Sequence, residues 1–116
     1  MSACLTPTPA PRGIGPFSVN ASRDADTALV AFRGELDLAA APCADAALDF
    51  LLDSGARDLL IDLERVKYLD CGGLAVLARA ARSAHAVGAR VYVFRAQGAP
   101  RELLDRARER VPVPVF

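Results

Sequence analysis

Apolar and polar positions alternate over residues 17–22 and again over residues 27–33, the period of a strand with one buried face. Asp24-Ala25-Asp26 between them supplies turn chemistry, so the two segments are predicted to pair as an antiparallel hairpin. From about residue 41 to residue 54 the spacing becomes helical, with Ala44, Leu48, Leu51 and Leu52 on one face and Gly55 as a C-terminal cap. Residues 59–63 form a short apolar run, expected to be a buried strand. A second helix is predicted over residues 70–87, its stripe including Leu74, Leu77 and Ala81, with Gly88 as its stop. Residues 90–95 read as another strand, and Pro100 opens a third helix in which Leu103, Leu104, Ala107 and Val111 share a face. Residues 111–116 contain too much proline for a central strand.

The order is strand, strand, helix, strand, helix, strand, helix, with short links of the kind that build right-handed parallel crossovers. It predicts an α/β fold: a small mixed sheet with an N-terminal antiparallel hairpin. At 116 residues and 53% hydrophobic, the chain suits one domain with one core. The first sixteen residues, with Pro7, Pro9, Pro11 and Pro16, are expected to be a disordered leader. They hold no apolar run long enough for a signal peptide or membrane span, so a cytoplasmic location is expected.

Fourteen basic residues balance fourteen acidic ones, which removes the basic field that attracts nucleic acid or anionic lipid. Cys4, Cys43 and Cys71 are odd in number and far apart, and His85 is the single histidine, so neither a zinc site nor a disulfide framework is expected. Gly13-Ile14-Gly15 resembles half a dinucleotide fingerprint but precedes the first strand, and Lys67 has no upstream glycine cradle, so neither a dinucleotide fingerprint nor nucleotide hydrolysis is predicted. His85 falls near a helix C-terminus, where it suits the dipole. Asp45, Asp49 and Asp53 form an acidic line on one helix face, either a solvated surface or a docking edge for a basic partner.

The chemistry concentrates at Asp70-Cys71-Gly72-Gly73-Leu74, where a strand runs into the second helix. A helix start exposes unpaired N–H groups and a positive dipole end, and two glycines there would let another molecule's backbone come close. Asp37 and Asp70 each follow an apolar segment and open a turn, which places both at the carboxyl edge of a parallel sheet, where ligands favour binding. Either can also simply cap its helix. Cys71, in the first helical turn, is a small buriable residue or a thiol that the helix start activates.

Three blocks, Phe32-Arg33-Gly34-Glu35-Leu36-Asp37, Leu60-Ile61-Asp62-Leu63 and Tyr68-Leu69-Asp70-Cys71-Gly72-Gly73-Leu74, together resemble the STAS domain of anti-sigma factor antagonists. The resemblance implies a single STAS-like domain over residues 17–116 with its helices mainly on one face. It also implies a non-catalytic protein without cofactor or metal. Its partner would be an anti-sigma factor, a serine kinase of the histidine-kinase ATPase fold, whose capture releases a sigma factor. The implied partner-binding residues are Asp37, Asp70, Cys71, Gly72, Gly73 and Leu74. In that family a Ser or Thr follows the second aspartate and accepts the phosphate that ends binding; here Cys71 holds that position. Ala40 stands where the family has another short hydroxyl residue, three positions after the first aspartate. The resemblance therefore implies an antagonist without the usual phosphoswitch. The alternatives are a regulator switched through the Cys71 thiol, or a small-ligand or structural module of a signalling assembly.

Overall fold

In a computed structural model, which describes residues 17–116, β1 (Ser18–Asp24) turns through Ala25 and Asp26 into β2 (Thr27–Leu36). There follow α1 (Ala41–Asp53), β3 (Asp58–Leu69), α2 (Cys71–Ala86), β4 (Arg90–Phe94) and α3 (Gly98–Arg106). The four strands form one sheet in the order β1-β2-β3-β4, antiparallel between β1 and β2 and parallel elsewhere. The leader expected at residues 1–16, with Gly13-Ile14-Gly15 and Cys4, lies outside the described residues.

Strand alternation divides the sheet into two unlike faces. Val19, Ala28, Val30, Phe32, Leu59, Ile61, Leu63, Val91 and Val93 are buried, and α1 and α2 close over them with Ala44, Leu48, Leu51, Leu52, Val76, Leu77 and Ala80. On the other face Leu60, Tyr92 and Phe94 are only half-buried and Leu29 is exposed. Both crossover helices end as their glycines require. Gly55, at φ +99°, donates to Leu52 O while Ala56 donates to Leu51 O, a Schellman ending that turns α1 back toward β3.

β3 is more than twice the expected length. Its first half pairs on both sides, Asp58–Asp62 register by register with β4, whereas the second half pairs with β2 alone. Two register shifts against β2, between Ala31 and Arg33 and between Gly34 and Glu35, each put an extra residue into β3. The bulges convert a period of two into the spacing of three seen at buried Leu63, Val66 and Leu69, which is why this stretch does not read as a strand. The Asp62 carboxylate accepts the Glu64 N–H at 2.9 Å at the first irregularity.

α3 begins at Gly98, two residues before Pro100, and ends at Arg106, so Val111 is buried but not helical. Residues 111–116 leave it and run beside β4 through a parallel bridge between Val115 and Val93, an edge position as the prolines require. The cysteine reading needs one correction. Cys43, half-buried on α1, is disulfide-bonded, because spacing along the chain does not report proximity in space.

The hairpin turn is strained, since Ala25 holds φ +55°, a region where a Cβ costs about 1–2 kcal/mol. Ala25→Gly removes that Cβ at an entropic cost of about 0.5–1 kcal/mol. The variant is expected to be more stable by roughly 0.5–1 kcal/mol, read as a higher urea midpoint at unchanged slope.

Candidate functional site at the sheet's carboxyl edge

Leu36 and Leu69 are register partners at the ends of β2 and β3, so the next residues, Asp37 and Asp70, leave the sheet side by side. This is the placement the sequence predicts, and the bulges in β3 keep its end in step with that of β2. Asp37 Oδ1 accepts the Ala40 N–H at 2.9 Å, and its carbonyl accepts the same group at 3.1 Å, which fixes the turn before α1. Asp70 is the N-cap of α2. Its Oδ1 accepts from Gly72 N–H at 2.8 Å and Gly73 N–H at 3.2 Å, and its carbonyl accepts from Leu74 N–H. The two aspartates thus tie down the two backbone segments that meet at this corner.

The glycines act differently from the expectation. A Cβ on Gly72 would lie 2.6 Å from Leu38 Cα and 2.7 Å from Leu38 N, and one on Gly73 would overlap the Leu36 carbonyl oxygen and Leu69 Cδ1. The backbone that approaches closely is this chain's own β2-α1 loop, not that of another molecule. Gly73 and Leu74 are buried, so of the residues proposed to touch a partner these two shape the corner from beneath. What faces outward is Cys71, a free exposed thiol, with Leu38 beside it at 75% exposure. Leu38 was not singled out in the sequence, although a leucine following Asp37 at a turn is a signal for an exposed apolar contact.

Beside Cys71, the edges of Leu74 and Ala75 join Ala107, Arg110 and Val111 in a shallow depression of about 180 Å³, with Arg110 as its charged residue. Arg110 has no sequence signal linking it to Cys71, because the turn after α3 reaches α2 only through the fold. Among the described residues no group of three or more His, Cys, Asp or Glu side chains is placed to hold a metal ion. His85 is exposed in the last turn of α2, as expected from its sequence position.

The acidic line on α1 is met from across the helix pair. Arg79 of α2 donates to Asp45 Oδ2 through Nη2 at 2.7 Å and Nε at 3.1 Å, a cation that the spacing within α1 does not reveal. Asp49 and Asp53 remain exposed. Burial, and then the charges of Asp45 and Asp53, push the Asp49 carboxyl above its ordinary range, with Arg79 opposing.

Ser54 and Ser83, the serines nearest Cys71 in sequence, lie elsewhere. Ser54 closes α1, donating to Leu51 O and accepting from Arg23 at 2.7 Å, and Ser83 sits in the second half of α2. Neither stands at the corner.

Four variants test these assignments. Gly73→Ala is expected to cost about 1–3 kcal/mol, because its methyl meets backbone as well as side chain, and Gly72→Ala to cost less only so far as the Leu38 loop yields. Asp70→Ala is expected to cost about 1 kcal/mol as a lost N-cap, measured by denaturant unfolding. For Asp49, the folded chain keeps its proton to higher pH than the unfolded chain, so the stability that protonation confers is lost as pH rises through the raised value. Asp49→Asn should therefore raise Tm at neutral pH, with the gain vanishing in acid.

Comparison with known proteins places the corner in context. Among curated protein sequences none matches significantly. Solved structures do. An anti-sigma factor antagonist from Mycobacterium paratuberculosis superposes with a TM-score of 0.78 at 21% identity, covering 90% of this chain and 88% of that one. The anti-sigma factor antagonist SpoIIAA in its unphosphorylated form gives 0.73 at 19% identity, covering 85% and 86%. An antagonist STAS domain from Rhodobacter sphaeroides gives 0.57 at 25% identity, covering 66% and 84%. The sequence profile of the STAS domain matches residues 18–110, which takes in every strand and helix described above, and the chain belongs to the STAS domain family.

Proposed function

We propose that this protein is an anti-sigma factor antagonist that docks on a kinase-type anti-sigma factor through the corner formed by Asp37, Leu38, Asp70 and Cys71, and so frees a sigma factor in the cytoplasm. The observation that carries the reading is the exposed side chain of Cys71, the first helical residue after the Asp70 cap. It supports a contact site at the position where the family resemblance has its phosphoacceptor. SpoIIAA, a related structure, is known in a phosphorylated form. At Cys71 the hydroxyl that would take a phosphate is replaced by a thiol, so the reading is of an antagonist that stays in its binding state when the kinase has ATP.

The corner suits such a contact physically. Leu38 offers an apolar anchor and Cys71 a small neighbour, while the carboxylates of Asp37 and Asp70 are already engaged by backbone N–H groups. Mixing the protein with a candidate kinase and ATP is expected to give a stable complex with no phosphate on this chain, read by calorimetry and mass spectrometry. Phosphoserine or phosphothreonine on it would overturn the reading. Cys71→Asp, which sets a charge at the contact, is expected to weaken the complex at least about tenfold, or 1.4 kcal/mol. Cys71→Ser is expected to keep binding and to gain phosphorylation.

Exposure of the free thiol also favours a second reading, in which modification of Cys71 replaces phosphate as the off signal. Alkylation should then abolish binding by the wild-type chain and leave Cys71→Ser unaffected.

A further inference from the structure

We propose that the depression beside Cys71 is a second contact for the same anti-sigma partner, and that it takes an apolar side chain flanked by a carboxylate on an acidic segment of that protein. The proposal rests on the docking reading of the corner and extends it to the turn after α3.

The floor of the depression is apolar. Leu74, Ala107 and Val111 are buried and Ala75 is half-buried, and with Cys71 and Arg110 they border about 180 Å³. Space of that order, roughly 150 Å³, holds a benzene-sized group. The rim is fixed by the backbone, since Arg110 N–H donates to Ala107 O at 2.8 Å and Val111 N–H donates to the same oxygen at 2.9 Å. The site therefore exists before an occupant arrives.

The rim carries charge that this chain leaves unused. Arg79, Arg90, Arg95 and Arg101 each meet a carboxylate, whereas exposed Arg110 has no ion pair among the described residues. The same holds for exposed Arg106 and Arg108, and over residues 106–110 the single carboxylate is that of Glu109. This turn is thus a positive patch on a chain whose fourteen basic and fourteen acidic residues balance. A cationic rim over an apolar floor complements an acidic segment that carries an apolar residue. A free phosphate suits it less, because Arg110 is the one cation lining the depression and the Gly72 and Gly73 N–H groups at the start of α2 already bond Asp70 Oδ1. Cys71 belongs to both the corner and the depression, so one partner can cover the two together.

The test uses the full chain and the kinase of the docking experiment, with affinity read by calorimetry. Arg110→Gln is expected to weaken the complex about tenfold, and Arg110→Glu further, with Tm unchanged in both. Arg82→Gln, at an exposed arginine in the second half of α2, is expected to have no effect. The loss in Arg110→Gln should shrink at high salt, where the wild-type attraction is screened. Arg110→Lys keeps the charge and permits carbodiimide coupling, which is expected to join position 110 to an Asp or Glu of the kinase, identified by mass spectrometry. Unchanged affinity in both Arg110→Gln and Arg110→Glu overturns the proposal, and the corner reading then stands alone if Cys71→Asp still weakens the complex. Loss in Arg110→Gln with none in Cys71→Asp keeps the depression as a contact and removes the corner. Coupling of position 110 within this chain or to a second copy overturns the proposal. So does calorimetric binding of inorganic phosphate that Arg110→Gln abolishes, since the site would then serve a small anion.

Discussion

The contact between the first turn of α2 and the loop after β2 is the constraint on which the carboxyl edge depends. Two consecutive residues without side chains let backbone lie on backbone there, Gly72 against Leu38 and Gly73 against the Leu36 carbonyl. That distance sets the direction in which α2 leaves the sheet, and α2 in turn covers β3 and β4. The Asp70 cap supplies the matching electrostatic term, one carboxylate oxygen satisfying two N–H groups that the helix start would leave unpaired. Packing and capping thus act on the same two residues.

A second feature works on the opposite face of the sheet. Among the described residues Asp62 is the buried charged one, and it is fully employed: it accepts from Glu64 N–H at the bulge and from Nε and Nη2 of Arg95. The hydrogen bond that Arg95 donates to Asp62 is the main cause that holds its guanidinium above its ordinary proton affinity, with the charges of Asp62 and Glu64 adding to it. Arg95 itself sits at φ +63°, uncommon for a residue with a side chain, and closes β4 in that conformation. Its guanidinium also lies 5.3 Å from the Phe94 ring centre. Ion pair, bulge and strand end form one connected arrangement.

Much of this was legible in the chain. The period-two hairpin, the stripes Ala44-Leu48-Leu51-Leu52 and Leu74-Leu77, and the capping signals at Gly55, Asp70 and Gly88 each act over a few residues, so local pattern sufficed to place them. The adjacency of Asp37 and Asp70 followed from parallel strands alone. What escaped depended on distance in space: the bulged half of β3, where two inserted residues break the alternation; the Arg79 partner of Asp45; Arg110 beside Cys71; and the bond at Cys43. The role of Gly72 and Gly73 escapes for the same reason, since sequence shows that a residue is small and not what fills the space beside it.

The rigidity of the corner has a kinetic meaning. With Asp37 and Asp70 both bonded to nearby amides and no slack between helix and loop, the surface presented by Leu38 and Cys71 exists before any encounter. In the proposed complex the partner would meet a preorganised platform, and this chain would lose little conformational freedom, so discrimination among partners would fall to the fit of a few protruding atoms rather than to the ordering of a loop.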